Sequence, residues 1–137
     1  MQITIGELAR LVDCSLQTLR YYEREGLVTP PPRSANNYRV YGAAHAERIR
    51  FIRHCRALDM TLDEVRSLLH FRDVPEESCG EVNSLLEQHI GHVAKRIKEL
   101  RQLQTQLVAL RKKCASVEQA KDCGILRALT DIENLTP

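Results

Sequence analysis

Residues 78–123 read SCGEVNSLLEQHIGHVAKRIKELRQLQTQLVALRKKCASVEQAKDC, and this stretch decides the architecture. From Glu81 to about Lys113 it holds no proline, and Gly91 is its one internal glycine. Apolar residues recur at heptad spacing at Leu86, Val93, Leu100 and Leu107, and the next step lands on Cys114. Ile90 and Ile97 form a companion column, and Leu103 and Leu110 widen the stripe. The spacing predicts one long helix carrying a coiled-coil seam. A lone helix cannot bury its own stripe, so the pattern also predicts a partner helix from a second copy. Cysteines bracket the rod: Cys79 at its start, Cys114 at its end and Cys123 just beyond. Cys79 and Cys114 are 35 residues apart, which a straight helix spreads over roughly 50 Å. A parallel pair of copies would bring like cysteines together. An antiparallel pair would bring Cys79 of one copy to Cys114 and Cys123 of the other, gathering three thiols twice per dimer.

The totals set bounds around this rod. A chain of 137 residues suits one compact domain plus an extension. The first twenty residues hold no apolar run, so neither a signal peptide nor a membrane span is expected. Five cysteines in such a chain point to a reducing, cytoplasmic setting and to metal or redox chemistry before structural disulfides. The net charge of +2 is unevenly built: residues 1–74 carry 11 basic side chains, all arginine, against 9 acidic ones. Residues 75–137 carry 9 of each, and every lysine lies there. The arginine fork suits phosphates and guanine edges, so the N-terminal part reads as a nucleic-acid binder. A compositional bias toward arginine gives the same pattern. No Ser/His/Asp set, paired acids or glycine-rich phosphate loop is present, so an enzyme is not expected.

The N-terminal part reads as short helices. Thr4-Ile5-Gly6-Glu7 is a capping box opening a helix with Ile5, Leu8, Ala9 and Val12 on one face. Asp13-Cys14-Ser15 breaks it, Ser15 caps a second helix over Leu16 to Glu25, and Gly26 stops that one. Two short helices across a tight turn form a helix-turn-helix candidate. The second exposes Gln17, Thr18, Arg20, Tyr21 and Arg24, a pattern that a merely solvated face also shows. Pro30 to Pro32 end the helical region, and Asn36-Asn37 followed by Tyr38 to Tyr41 predicts a small β-hairpin, a wing tipped by Tyr38 and Arg39. A helix over 43–58 and another opened by the capping box Thr61-Leu-Asp-Glu64 follow. Ser78-Cys-Gly-Glu81 reads as a third capping box, with Cys79 at the first helical position, where the dipole favours thiolate. A short amphipathic helix with Ile125, Leu126, Leu129 and Ile132 closes the chain.

The blocks TLRYYEREGL, PPPRS and NYRVY, in that order, resemble the DNA-binding domain of the mercury-resistance (MerR) family of bacterial activators. That resemblance implies recognition-helix contacts from Thr18, Arg20 and Tyr21, and wing and backbone contacts from Arg33, Tyr38 and Arg39. The stretches CRALDMTLDEVRSLL and CGEVNSLLEQHIGHV resemble the cadmium- and lead-responsive branch. The expected fold is mainly α: a winged helix-turn-helix with a linker helix pair over 1–74, a long antiparallel coiled-coil dimerisation helix over 75–113, and a metal-binding loop with a C-terminal helix over 114–137. The expected partners are a second copy, a double-stranded inverted-repeat promoter and RNA polymerase, with the protein associated with the nucleoid and no membrane involved.

Cys79, Cys114 and Cys123 are the expected metal ligands. Three thiolates suit soft or borderline divalent ions such as Cd and Pb, with Hg and Zn as alternatives, although zinc usually takes a fourth ligand. The expectation is therefore a homodimeric regulator that activates heavy-metal resistance genes by distorting promoter DNA when metal binds a three-cysteine intersubunit site. A mercury- or zinc-responsive member of the same family, or a thiol redox sensor pairing Cys114 with Cys123, stands as the alternative. Cys14 and Cys55 read as packing residues, and His89 and His92 as helix-surface residues.

Overall fold

A computed structural model describes residues 2–114 and 119–131. Among them are six α-helices: α1 (Ile5–Leu11), α2 (Leu16–Arg24), α3 (Ala43–Ala57), α4 (Leu62–Asp73), α5 (Gly80–Arg111) and α6 (Gly124–Thr130). A 3-10 turn, Ala120–Asp122, precedes α6. The chain divides into two compact units, Met1–Leu85 and Leu86–Pro137.

In the first unit, local chemistry starts and stops each helix. The Thr4 hydroxyl accepts from the Glu7 N–H at 3.2 Å while the Glu7 carboxylate accepts from the Thr4 N–H at 3.1 Å. Those two bonds hold the Glu7 carboxyl below its usual range. Thr61 and Glu64 repeat the arrangement at α4, and the Ser15 hydroxyl accepts from the Thr18 N–H to open α2. At α3 the Gly42 N–H donates to His45 Nδ1 at 3.1 Å, a reach-back made by histidine where glutamate is usual. Three helices end alike. Asp13, Gly26 and Asp59 take φ of 50°, 75° and 63°. The N–H of the next residue then reaches five residues back, Cys14 to Ala9, Leu27 to Tyr22 and Met60 to Cys55. This left-handed cap satisfies the last carbonyls and turns the chain sharply.

Those turns fold α1 to α4 around one core that includes Leu8, Leu19, Tyr41, Ile49, Ile52 and Val65. Cys55 is buried in it and Cys14 packs against it. Burial pushes both thiols above their ordinary range, so they behave as small apolar residues.

Arginines from α3 and α4 complete the unit. Arg48 Nε donates to the Leu27 carbonyl at 2.6 Å, and its Nη1 grips both oxygens of Asp73 at 2.9 and 3.1 Å. Arg53 donates to the Val12 carbonyl. Arg66 reaches the Glu25 carbonyl at 3.1 Å and its carboxylate at 2.9 Å. Each arginine serves a carbonyl where α1 or α2 runs out of helical partners. Part of the arginine excess that suggested nucleic acid is thus spent inside the fold.

The expected winged hairpin is corrected. Among the described residues there is no β-strand, only two isolated antiparallel bridges, Arg33 with Arg39 and Ile3 with Tyr41. The turn chemistry is present: the Asn37 N–H donates to the Ser34 carbonyl at 2.9 Å, and Asn37 takes a φ of 64°. A ladder does not grow from it for two reasons. Prolines 30 to 32 have no N–H to donate. Tyr41 pairs instead with Ile3, its N–H and carbonyl both bonded there at 2.8 and 2.9 Å. The fold is all-α with a compact loop where the wing was expected.

The long rod is α5, which belongs to the second unit from Leu86 onward. Its stripe lies open to solvent: Ile90 is 60% and Leu107 63% exposed, with Leu86, Val93, Ile97, Leu100 and Leu103 also exposed. The α6 helix forms, although Ile132 lies outside the described residues, as do 115–118 of the preceding loop.

Candidate nucleic-acid interface and thiol pair

The loop 33–41 and α2 meet around one groove, lined among others by Thr4, Arg20, Glu23, Arg33, Tyr38 and Arg39. Three guanidinium groups therefore face a space with one carboxylate in it. That carboxylate is engaged: the Tyr41 hydroxyl donates to Glu23 Oε2 at 2.9 Å. Burial, and then the Glu23 carboxylate, push the Tyr41 phenol up to about 12. Arg33 Nη1 donates to the Asn37 carbonyl at 3.1 Å, closing the loop on itself. Tyr38 is 66% exposed at the loop tip. A cationic groove with a projecting aromatic ring suits a phosphate backbone.

Thr18 and Tyr21 are not among the residues that line this groove. The Thr18 hydroxyl shares a 2.8 Å hydrogen bond with the Ser15 hydroxyl, so it also supports the α2 cap. The Tyr21 ring is exposed, with the Arg24 guanidinium 6.0 Å from its centroid. Glu23 and Tyr41 were not foreseen as interface residues. The second tyrosine of NYRVY was the available signal, since a buried tyrosine hydroxyl needs a partner.

The three thiols are not brought together. Cys79 precedes the first residue of α5: its carbonyl accepts from Asn83, while the Ser78 hydroxyl accepts from the Gly80 N–H at 3.2 Å. Cys114 follows the other end, after 32 helical residues. Cys114 and Cys123 do meet, within hydrogen-bonding reach of each other. The Leu126 and Ile125 N–H groups, together with Cys114, hold the Cys123 thiol below its ordinary range.

The expected three-cysteine site is therefore corrected. Among the described residues, no cysteine belongs to a group of three or more potential metal ligands with donor atoms within 4.8 Å of one another. Spaced three apart on α5, His89 and His92 share a face, and their rings meet edge-on at 6.5 Å and 90°. His89 is buried, so its reading as a surface residue is corrected too.

Comparison with known proteins decides the family. The model described as MerR HTH family regulatory protein matches residues 3–71, and the one described as MerR, DNA binding, matches residues 46–110. The chain belongs to the MerR family. This MerR-family chain is 42% identical over 115 residues to the HTH-type transcriptional regulator ZntR homolog of Haemophilus influenzae, covering 84% of this chain and 85% of that protein. It is 31% identical over 129 residues to the mercuric resistance operon regulatory protein of Bacillus cereus, covering 94% and 98%. The solved structure of the transcription regulator PbrR691 from Ralstonia metallidurans CH34 in complex with lead(II) superposes with a TM-score of 0.81. It shares 51% identity and covers 93% of this chain and 98% of that one. The MerR chain thus has the fold of a DNA-binding transcriptional regulator, not of an enzyme. Among the described residues, no helix is long and apolar enough to cross a membrane.

Proposed function

We propose that this protein is a metal-responsive transcriptional regulator that acts on promoter DNA in the cytoplasm. The observation that carries the reading is the groove between α2 and the loop 33–41, where Arg20, Arg33 and Arg39 converge beside exposed Tyr38. Arg20, with Thr18 and Tyr21 on the same helix, reads base edges and nearby phosphates. Arg33, Tyr38 and Arg39 hold the backbone. The open stripe of α5, from Leu86 to Leu107, supports a homodimer, because an apolar surface of that length is costly to leave in water. A two-fold dimer matches an inverted-repeat operator and leaves RNA polymerase free to engage the same promoter.

The inducer is a soft divalent ion, taken within one chain by Cys114 and Cys123. Likeness to a lead-bound regulator at 51% identity favours lead, thiolate softness adds cadmium, and likeness to a mercuric-resistance regulator makes mercury the next ion to test. Nearly complete switching of a two-state regulator needs about 5.5 kcal/mol of differential affinity. Metal held by protein thiolates and imidazoles supplies roughly 10–16 kcal/mol, so only a fraction need favour the active state.

The test is operator binding and promoter output for wild type and for Arg20→Ala, Arg39→Ala, Cys79→Ser, Cys114→Ser and Cys123→Ser, across Cd, Pb, Hg and Zn. The arginine variants lose affinity and flatten its salt dependence, while Cys114→Ser and Cys123→Ser keep DNA binding and lose the metal response. Full induction by every ion in Cys114→Ser would overturn the metal reading. A thiol redox switch, favoured by the same Cys114–Cys123 contact, predicts induction by peroxide in metal-free protein instead.

A further inference from the structure

Between Cys123 and the body of α6 stands Gly124, the first residue of that helix. Its φ lies outside the left-handed region, so the backbone conformation does not require glycine. What requires glycine is space. A Cβ added there would lie 2.2 Å from the Lys113 carbonyl oxygen and 3.1 Å from its carbon. Both atoms belong to backbone in the turn just beyond α5, where the Lys113 N–H bonds to Leu110 and the Cys114 N–H to Arg111. Neither can swing aside as the end of a flexible side chain would. The hydrogen that glycine carries in place of Cβ points at that oxygen, a Cα–H···O contact. By contrast, a Cβ on Gly91 of α5 meets nothing within 4 Å.

Lys113 immediately precedes Cys114, and Gly124 immediately follows Cys123. The close approach of the two backbones is therefore what sets the distance between the two sulfurs. We propose that Gly124 is a positioning residue for the thiol pair: its missing side chain lets the start of α6 dock on the end of α5 and fixes the bite of Cys114 and Cys123 on a soft divalent ion. That role in metal binding rests on the thiol-pair reading above, whereas the juxtaposition of the sulfurs does not. Any side chain at 124 must push the two backbones apart by about 1 Å, the gap between 2.2 Å and a carbon–oxygen van der Waals contact. Such a shift is large compared with the roughly 0.2 Å tolerance of metal–sulfur distances.

The experiment uses the full chain in a Cys79→Ser background, comparing Gly124→Ala, Gly124→Val and Gly91→Ala with the parent. Metal-free protein is equilibrated with reduced and oxidised glutathione, and the Cys114–Cys123 disulfide is quantified by alkylation and mass spectrometry. The equilibrium reports the effective concentration of one thiol toward the other, independently of any metal. Gly124→Ala is expected to lower it about tenfold and to weaken cadmium, read by thiolate–cadmium absorbance against a chelator, by a similar factor, the scale of support-shell substitutions. Gly124→Val is expected to lower both further, and Gly91→Ala to leave both unchanged. Helix content by circular dichroism and operator affinity of the metal-free protein are expected to hold in all three, which separates positioning from loss of the fold. An effective thiol concentration in Gly124→Ala and Gly124→Val within twofold of the parent would overturn the proposal. Cadmium affinity unchanged in Cys114→Ser would instead overturn the thiol-pair reading, and the glutathione equilibrium would still decide the role of Gly124.

Discussion

Replacing Tyr41 by phenylalanine removes one oxygen and nothing else. Tyr41 is 2% exposed, and its hydroxyl donates to the half-buried Glu23 carboxylate at 2.9 Å. A hydrogen bond to a charged acceptor contributes about 1.5–3 kcal/mol. Water can reach Glu23 once the hydroxyl has gone, so the cost of Tyr41→Phe falls toward the lower end, about 1–2 kcal/mol. In a unit of this size that corresponds to a melting temperature lower by about 5–10 °C. The pH dependence gives a sharper check. Burial, followed by the neighbouring carboxylate, raises the phenol from 10.0 to about 12 in the folded protein. Below pH 10 the phenol is protonated both folded and unfolded, and the bond contributes fully. Between pH 10 and 12 the unfolded chain ionises first, so the contribution drains away and is gone once the pH passes the folded value. Urea unfolding followed by circular dichroism should show the full gap between wild type and Tyr41→Phe at pH 8 and a narrower one at pH 11. The reasoning fails if the gap at pH 8 is below about 0.5 kcal/mol, or if it stays constant or widens as the pH rises.

Four further outcomes follow from the same unit, each read by urea or thermal unfolding. Arg48→Ala strands the Leu27 carbonyl and releases Asp73, costing about 1–3 kcal/mol; Arg48→Lys recovers little of it, because an ammonium cannot fork to both partners. Ile52→Ala, at a fully buried position, costs about 2–5 kcal/mol. Ser15→Ala removes the α2 cap and costs about 1 kcal/mol. Asp59→Gly stabilises by about 0.5–1 kcal/mol, since Asp59 holds a φ of 63° that glycine adopts without strain.

The helices were legible because their signals are local. Thr4 with Glu7, Thr61 with Glu64, Ser15 and Gly26 mark boundaries through contacts a few residues apart, and α5 announced itself through its heptads. The wing failed because strand propensity in Tyr38 to Tyr41 says nothing about which partner the backbone will find. Tyr41 found Ile3, far away in sequence. The arginines failed for a related reason: composition counts guanidinium groups but does not tell which of them turn inward to carbonyls 41 residues away, as Arg53 and Arg66 do. At the thiols, sequence spacing pointed to three cysteines, whereas the chain brings together Cys114 and Cys123. The deciding contact there is the Gly124 packing against a carbonyl, and a bare glycine in a sequence does not reveal what presses on it.

The arginine clasps also bear on how the molecule comes into being. Val12, Glu25 and Leu27 leave the ribosome with carbonyls whose partners, Arg53, Arg66 and Arg48, have yet to be synthesised. Until those later residues clear the exit tunnel, the earliest helices lack both their lid of apolar side chains and the groups that finish their ends. The ends of α1 and α2 therefore gain their last hydrogen-bond partners only once α3 and α4 have emerged.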